Sequence, residues 1–174
     1  MPMLWKLRLL WYRTDKAAAV FALFFGLVVG SLVFALSAVY ADRDAKAASM
    51  REFHARSLDC LARNVYYEAR GESSAGQYAV AEVTMNRKAS PRYPKTVCEV
   101  VYQKEAFSWT ELGVLEPPAG DAWLRAIQVA EDVYYQRRPP TLHGVLHFHA
   151  TYVRPDWSKE RQRVARIGRH VFYR

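Results

Sequence analysis

The chain has 174 residues, 51% of them hydrophobic and 24% charged, with a formal net charge of +8 at neutral pH. That length holds one domain of ordinary size and an appendage. Aromatics at 14% exclude disorder over most of it, and two cysteines exclude a disulfide scaffold or a four-thiolate zinc site.

Residues 1–16 form a basic segment, with Lys6, Arg8, Arg13 and Lys16 against the single acid Asp15. Ala17 to Ala41 follows as 25 residues without a charge. A membrane-spanning helix needs about 20 apolar residues, so this run is long enough to be a transmembrane anchor. The competing reading is a signal peptide cut before Asp42, after the small residues Val39 and Ala41; its apolar core spans only about 7–15 residues, shorter than this run. The basic flank keeps the N-terminus cytoplasmic. The expected location is the bacterial inner membrane, single-pass, with the C-terminal domain on the periplasmic side. Beyond the run, 21 basic residues against 16 acidic leave a net of +5. Such an excess suits an acidic polymer and equally an ordinary solvated surface. No nucleic-acid-binding motif accompanies it.

Residues 42–57 carry frequent charges and alanine, the composition of a stalk that continues the helix or frays. A folded domain is expected over 58–174, where 117 residues can bury a core of their own. Leu61, Ala62, Val65, Glu68 and Ala69 fall on one helix side, with Ser57 or Asp59 as cap and Gly71 as stop. A second helix is expected over Gly76 to Lys88. Prolines 91 and 94 then impose an irregular loop, and Val97 to Tyr102 is a short β-branched run. A third amphipathic helix is expected over Asp121 to Arg137, stopped by Pro139 and Pro140. Leu142 to His149 and Ile167 to Tyr173 have the composition of a hairpin or small sheet. The whole reads as mainly α with a minor β element.

Cys60 and Cys98 both lie on the side argued to be oxidising, where a disulfide is the natural pairing and two buried thiols the alternative. The bond closes a loop of about 37 residues and contributes roughly 3–4 kcal/mol.

The densest polar signal is Tyr66 to Glu72. Glu68 shares an apolar helix face, and desolvation there raises a carboxyl pKa into the range of a general acid. Glu72, one turn on, adds like charge. The structural alternative pairs Glu68 or Glu72 with Arg70 or Arg87. Gln77 opens the second helix, either facing a cleft or simply solvated. Phe107 and Trp109 alternate in an extended stretch and could stack on sugars or belong to the core. Asn86 and Arg87 are expected to tie the second helix to the first, and Glu82 and Asp59 to be surface residues. His143, His147 and His149 invite a metal reading, but no carboxylate or cysteine stands near them in sequence. A hydrogen-bonding role for His149 at a cleft edge is the expectation.

Cys60 to Trp109 resembles the SleB-type cell wall hydrolases, the family of the spore cortex-lytic enzymes. The match runs through Glu-Ala-Arg-Gly-Glu at 68–72, Gly76-Gln77 with Ala79-Val80, Asn86-Arg87, Tyr93-Pro94 with Thr96-Val97, and Phe107-Ser108-Trp109. The tail is similar, with His147-Phe148-His149-Ala150, Arg154-Pro155 before Trp157, and Ile167-Gly168, His170 and Phe172. The resemblance implies a lysozyme-like fold related to lytic transglycosylases, acting on the glycan strands of peptidoglycan. Glu68 takes the role of lone catalytic acid, and Glu72, Gln77, Phe107, Trp109 and His149 are candidate substrate-binding residues. Neither metal nor cofactor is implied. Hydrolytic muramidase or glucosaminidase chemistry, or a catalytically silent wall-binding module, stand as alternatives. Two departures mark this chain: Glu105 and Glu111 stand where many Gram-negative-type members carry a second cysteine pair, and no separate peptidoglycan-binding domain is present in the sequence.

Overall fold

The computed structural model describes residues 16–174; the basic cluster Lys6, Arg8 and Arg13 lies outside them. Helix α1 (Lys16–Ala69) is followed by α2 (Ser74–Ala89), α3 (Val97–Val101), a 3₁₀ turn (Ser108–Glu111) and α4 (Gly120–Tyr134). Strand β1 (His147–Ala150), a 3₁₀ turn (Asp156–Glu160), β2 (Arg163–Ile167) and β3 (His170–Tyr173) complete the chain. The architecture is mainly helical with one small antiparallel sheet. Two compact units meet in sequence between Arg51 and Glu52.

In the first unit, Phe21, Phe24, Phe25, Leu27 and Phe34 are 66–76% exposed. A contiguous apolar surface of this kind is foreign to water-facing helices and normal for those facing lipid or a partner. Its two serine hydroxyls within residues 17–41 are satisfied internally, Ser31 donating to Val28 O at 2.8 Å and Ser37 to Phe34 O at 2.8 Å. Among the described residues, α1 is the one helix long and apolar enough to cross a membrane.

The second unit begins six residues before the expected domain start. Ser57 is buried, and the His54 ring bonds the Tyr134 hydroxyl at 2.7 Å. Ser57 and Asp59 therefore cap nothing: α1 runs through both, and Asp59 instead pairs with Arg63 at 2.7 Å on its exposed side. Cys60 and Cys98 form a disulfide that staples α3 to α1. The β-branched run at 97–101 is helical because Thr96 and Glu99 make a reciprocal capping box and Val97, Val100 and Val101 recur at helical spacing on the buried side. Helix α4 stops at Tyr134, short of the prolines, where Gln136 takes the left-handed conformation (φ 52°).

α2 carries two buried faces. Ala81 joins Leu61, Val65, Trp109 and Val129 in the main core, while Ala79 and Val83 pack with Leu142, Val145 and Phe172 of the C-terminal portion. β3 is the central strand, paired with β1 through Phe148↔Phe172 and with β2 through Arg166↔Val171. Residues 142–146, expected to be strand, are drawn onto α2 instead. Asn86 Nδ2 donates to Leu142 O (2.6 Å) and Val145 O (3.1 Å), and Arg87 Nε donates to Leu146 O (2.8 Å). These two residues thus anchor α2 to the segment before β1, not to α1 as expected. Glu82, expected at the surface, is 3% exposed and accepts from the backbone N–H of Thr141 and Leu142 at 2.8 and 2.7 Å. Its carboxylate satisfies a loop whose backbone would otherwise lack partners.

Candidate active site

Glu68 occupies the last turn of α1, on the side that carries Leu61 and Val65 into the core. Burial pushes its carboxyl up to about 7, opposed by the nearby positive charge of Arg87. Among the described residues, no hydrogen bond or ion pair engages the carboxyl. Its desolvation arises as the helical spacing implied. The like-charge contribution expected from Glu72 does not, because Glu72 is neutralised elsewhere.

Glu72 lies in the turn after α1 with its side chain 5% exposed, and Arg169 claims it. The Arg169 backbone N–H donates to one carboxylate oxygen at 3.0 Å and its Nε to the other at 2.7 Å. Burial works to raise the Glu72 carboxyl, but these bonds outweigh it and hold the group below its ordinary value. Gly168 makes the approach possible: it turns left-handed (φ 56°), and a Cβ there would collide with the Glu72 carboxylate. On the other side a Cβ at Gly76 would meet Glu72 Cβ at 2.9 Å. The expected ion pair at Glu72 exists, with a partner 97 residues away in place of Arg70 or Arg87.

The remaining candidates divide. Gln77 is buried and donates from Nε2 to the Glu72 carbonyl at 3.2 Å, so it braces the turn and is not a solvated helix residue. Phe107 is in the core, its ring beneath the Arg87 guanidinium at 4.9 Å. Trp109 sits in a 3₁₀ turn, not an extended stretch, and is 7% exposed. Its indole N–H donates to buried Asn64 at 2.9 Å while its ring stacks on Tyr67 at 4.6 Å, so this ring offers no free face for a sugar. His149 bonds the Tyr173 hydroxyl through Nε2 at 2.9 Å and stacks on that ring. His147 and His149 share a face, both against Trp157 at 5.6 and 5.7 Å. No group of three His, Cys, Asp or Glu side chains among the described residues is placed to hold a metal.

Arg87 connects this site to a cavity of about 410 Å³ whose walls include Tyr93, Lys104, His147, His149 and Trp157. The loop carrying Phe107 and Trp109 is closed by the Glu105 backbone N–H donating to Glu111 Oε1 at 2.8 Å, at the two positions noted above as cysteine in many relatives. Arg169 and Asn64, both central to the geometry, had no local signal in sequence; their partners come from 97 and 45 positions away.

Residues 71–173 match the family model described as Cell Wall Hydrolase. The chain belongs to this family. Among curated relatives, the spore cortex-lytic enzyme of Bacillus subtilis is 31% identical over 131 residues, covering 75% of this chain and 42% of the relative. The spore cortex-lytic enzyme of Bacillus cereus is 30% identical over 115 residues, covering 66% of this chain and 43% of the relative. The chain thus spans about two fifths of the length of these relatives. In structure it is similar to the catalytic domain of the Bacillus cereus SleB protein, with TM-score 0.58 and 28% identity over 68% of this chain and 89% of that one. The catalytic domain of the germination-specific lytic transglycosylase SleB from Bacillus anthracis is matched with TM-score 0.58 and 28% identity over 68% of this chain and 93% of that one. Glu68 lies three residues before the family match begins.

Proposed function

We propose that this chain is a membrane-tethered enzyme that cleaves the glycan backbone of peptidoglycan by lytic transglycosylation, with Glu68 as both acid and base. One observation carries the reading: Glu68 is a desolvated carboxyl held near neutrality with no protein partner, while Glu72 is committed to Arg169. Glycosidases usually work with two carboxylates. With Glu72 occupied, the chemistry that fits is the one that needs a single carboxyl.

Glu68 in its acid form protonates the glycosidic oxygen between N-acetylmuramic acid and the next sugar, and the C1–O bond breaks. The carboxylate so formed is attracted by Arg87, which opposes the effect of burial and makes the ionised state reachable. Glu68 then takes the proton of the same sugar's C6 hydroxyl, and O6 closes on C1 as a 1,6-anhydro ring. The proton that left Glu68 is restored, and no water is consumed. A resemblance to lytic transglycosylases, one of which is a structural neighbour, supports this choice over hydrolysis.

The test is digestion of purified sacculi by the detergent-solubilised full chain and by Glu68→Gln, with products read by mass. Anhydro-muramyl ends from the wild type, reduced about 10²–10⁴-fold in the variant, are the expected result. Reducing ends in their place would establish hydrolysis, and no soluble product would sink both enzymatic readings. The anchor reading, carried by the exposed apolar surface of residues 17–41, is tested by alkaline extraction of membranes. A retained anchor leaves the full-length chain in the pellet, and a cut before Asp42 releases it.

A further inference from the structure

The cavity beside Arg87 has an electrostatic character that cleavage by Glu68 does not require. Arg87 is 8% exposed, donates only to the carbonyls of Leu146 and Ala106, and has no carboxylate within ion-pair distance among the described residues. The one carboxyl whose charge acts on it, Glu68, is neutral in its acid form, so in that state the guanidinium lacks a countercharge, and burial lowers its pKa. Outside the lining itself, Arg161 lies 5.8 Å over the ring of the wall residue Trp157, with its Nε buried and unpartnered. Between them, burial and the charges of Arg161, Arg87 and Arg92 push His147 down to about 4. Lys104 adds a fourth cation at the rim, where the one wall carboxylate, Glu105, lies 4.0 Å from it and largely exposed to water. The aromatic faces of Tyr93 and Trp157 complete walls of the kind that hold a sugar ring.

We propose that this cavity is an anion-recognition subsite that takes a carboxylate of the wall polymer, with Arg87 in its wall as the counterion and the charges of Arg161 and Arg92 beside His147 adding to it. Two sources share that chemistry: the lactyl carboxylate of a muramyl residue stripped of its peptide, and a carboxylate of a retained stem peptide. The assignment rests on peptidoglycan being the substrate. An arriving carboxylate gains charge-assisted hydrogen bonds from the Arg87 guanidinium and supplies the missing countercharge. It also makes protonation of His147 easier, which gives the site its own reporter.

The experiment uses the full-length Glu68→Gln protein in detergent, so that ligands survive. Three four-sugar probes are titrated: peptide-free muramyl glycan, the same glycan carrying stem peptides, and neutral N-acetylglucosamine tetramer. At least one charged probe is expected to bind about tenfold more tightly than the neutral one, with the His147 titration midpoint, followed by NMR, moving upward in the bound state. Tighter binding of the peptide-free probe assigns the lactyl carboxylate; binding of the peptide-bearing probe alone assigns the stem. Adding Arg92→Gln and Arg161→Gln, neither of which removes a backbone hydrogen bond described above, is expected to weaken the preference for charge severalfold and to raise the free His147 midpoint. Equal affinities for charged and neutral probes, an unmoved His147, or a preference left unchanged by the double change would overturn the assignment. Sacculi left intact by the wild type alongside a shifted His147 would remove the proposed reaction and leave this site standing, whereas cleavage without any preference for charge would do the reverse.

Discussion

The last turn of α1 and the turn that follows it each present a glutamate, four residues apart, and the two are in opposite condition. Glu68 is desolvated, unpartnered and pushed up to about 7. Glu72 has a side chain only 5% exposed yet is held down by two bonds from Arg169. Burial acts on both in the same direction; Glu68 feels only the charge of Arg87 through space, whereas Glu72 is bonded directly by a cation delivered by the β2–β3 turn. In the proposed mechanism a carboxyl becomes the acid by being left without a bonded partner.

The comparison can be broken most severely through pH. Because Glu68 must carry a proton, kcat/KM is expected to fall about tenfold per pH unit above about 7, a hundredfold by pH 9; a profile flat to pH 9 would remove Glu68 from the acid role. Stability sharpens the same point. A folded pKa raised above the unfolded value of 4.5 gives a contribution present below 4.5 and lost as pH rises through about 7. The wild type should therefore lose up to about 3 kcal/mol relative to Glu68→Gln between pH 4 and pH 9 in urea titrations. For Glu72 the sign reverses: its contribution is present above 4.5 and is lost as pH falls through the depressed folded value.

Gly168→Ala attacks the clamp directly, combining a left-handed backbone with a Cβ that collides with the Glu72 carboxylate. A loss of about 2 kcal/mol in denaturation is expected, with the Glu72 titration moving upward; an unchanged midpoint would show that the clamp contributes nothing. The smallest effect is expected from Trp109→Phe, which leaves the buried Asn64 oxygen without its donor and costs about 1–2 kcal/mol while cleavage stays within a few-fold. A large drop in sugar affinity instead would return Trp109 to the cleft.

Much of the fold was legible because helical periodicity is local. Leu61 to Ala69 and Ala79 to Val83 declare buried faces by their helical spacing, and two cysteines, Cys60 and Cys98, can pair only with each other. What escaped was long-range polar accounting. Glu82 reads as a surface charge until Thr141 and Leu142 need an acceptor, and Trp109 reads as a sugar platform until Asn64 claims its indole. Val97 to Val101 is β-branched by composition, yet the flanking Thr96 and Glu99 cap it into a helix. In each case the deciding partner is a backbone group or a side chain that periodicity does not see. At Glu68 the helical spacing pointed to burial, but the opposing charge of Arg87 comes from the second helix and had no local signal.

The clasp between the Glu105 N–H and the Glu111 carboxylate holds one wall of the cavity, where Lys104, Glu105 and Ala106 stand. A covalent bridge opens only when a reductant arrives, whereas a hydrogen bond at the surface contributes about 1 kcal/mol and breaks and re-forms on the nanosecond-to-microsecond scale of loop motion. The closure of this loop is thus set by a hydrogen bond and is indifferent to the redox state of its surroundings.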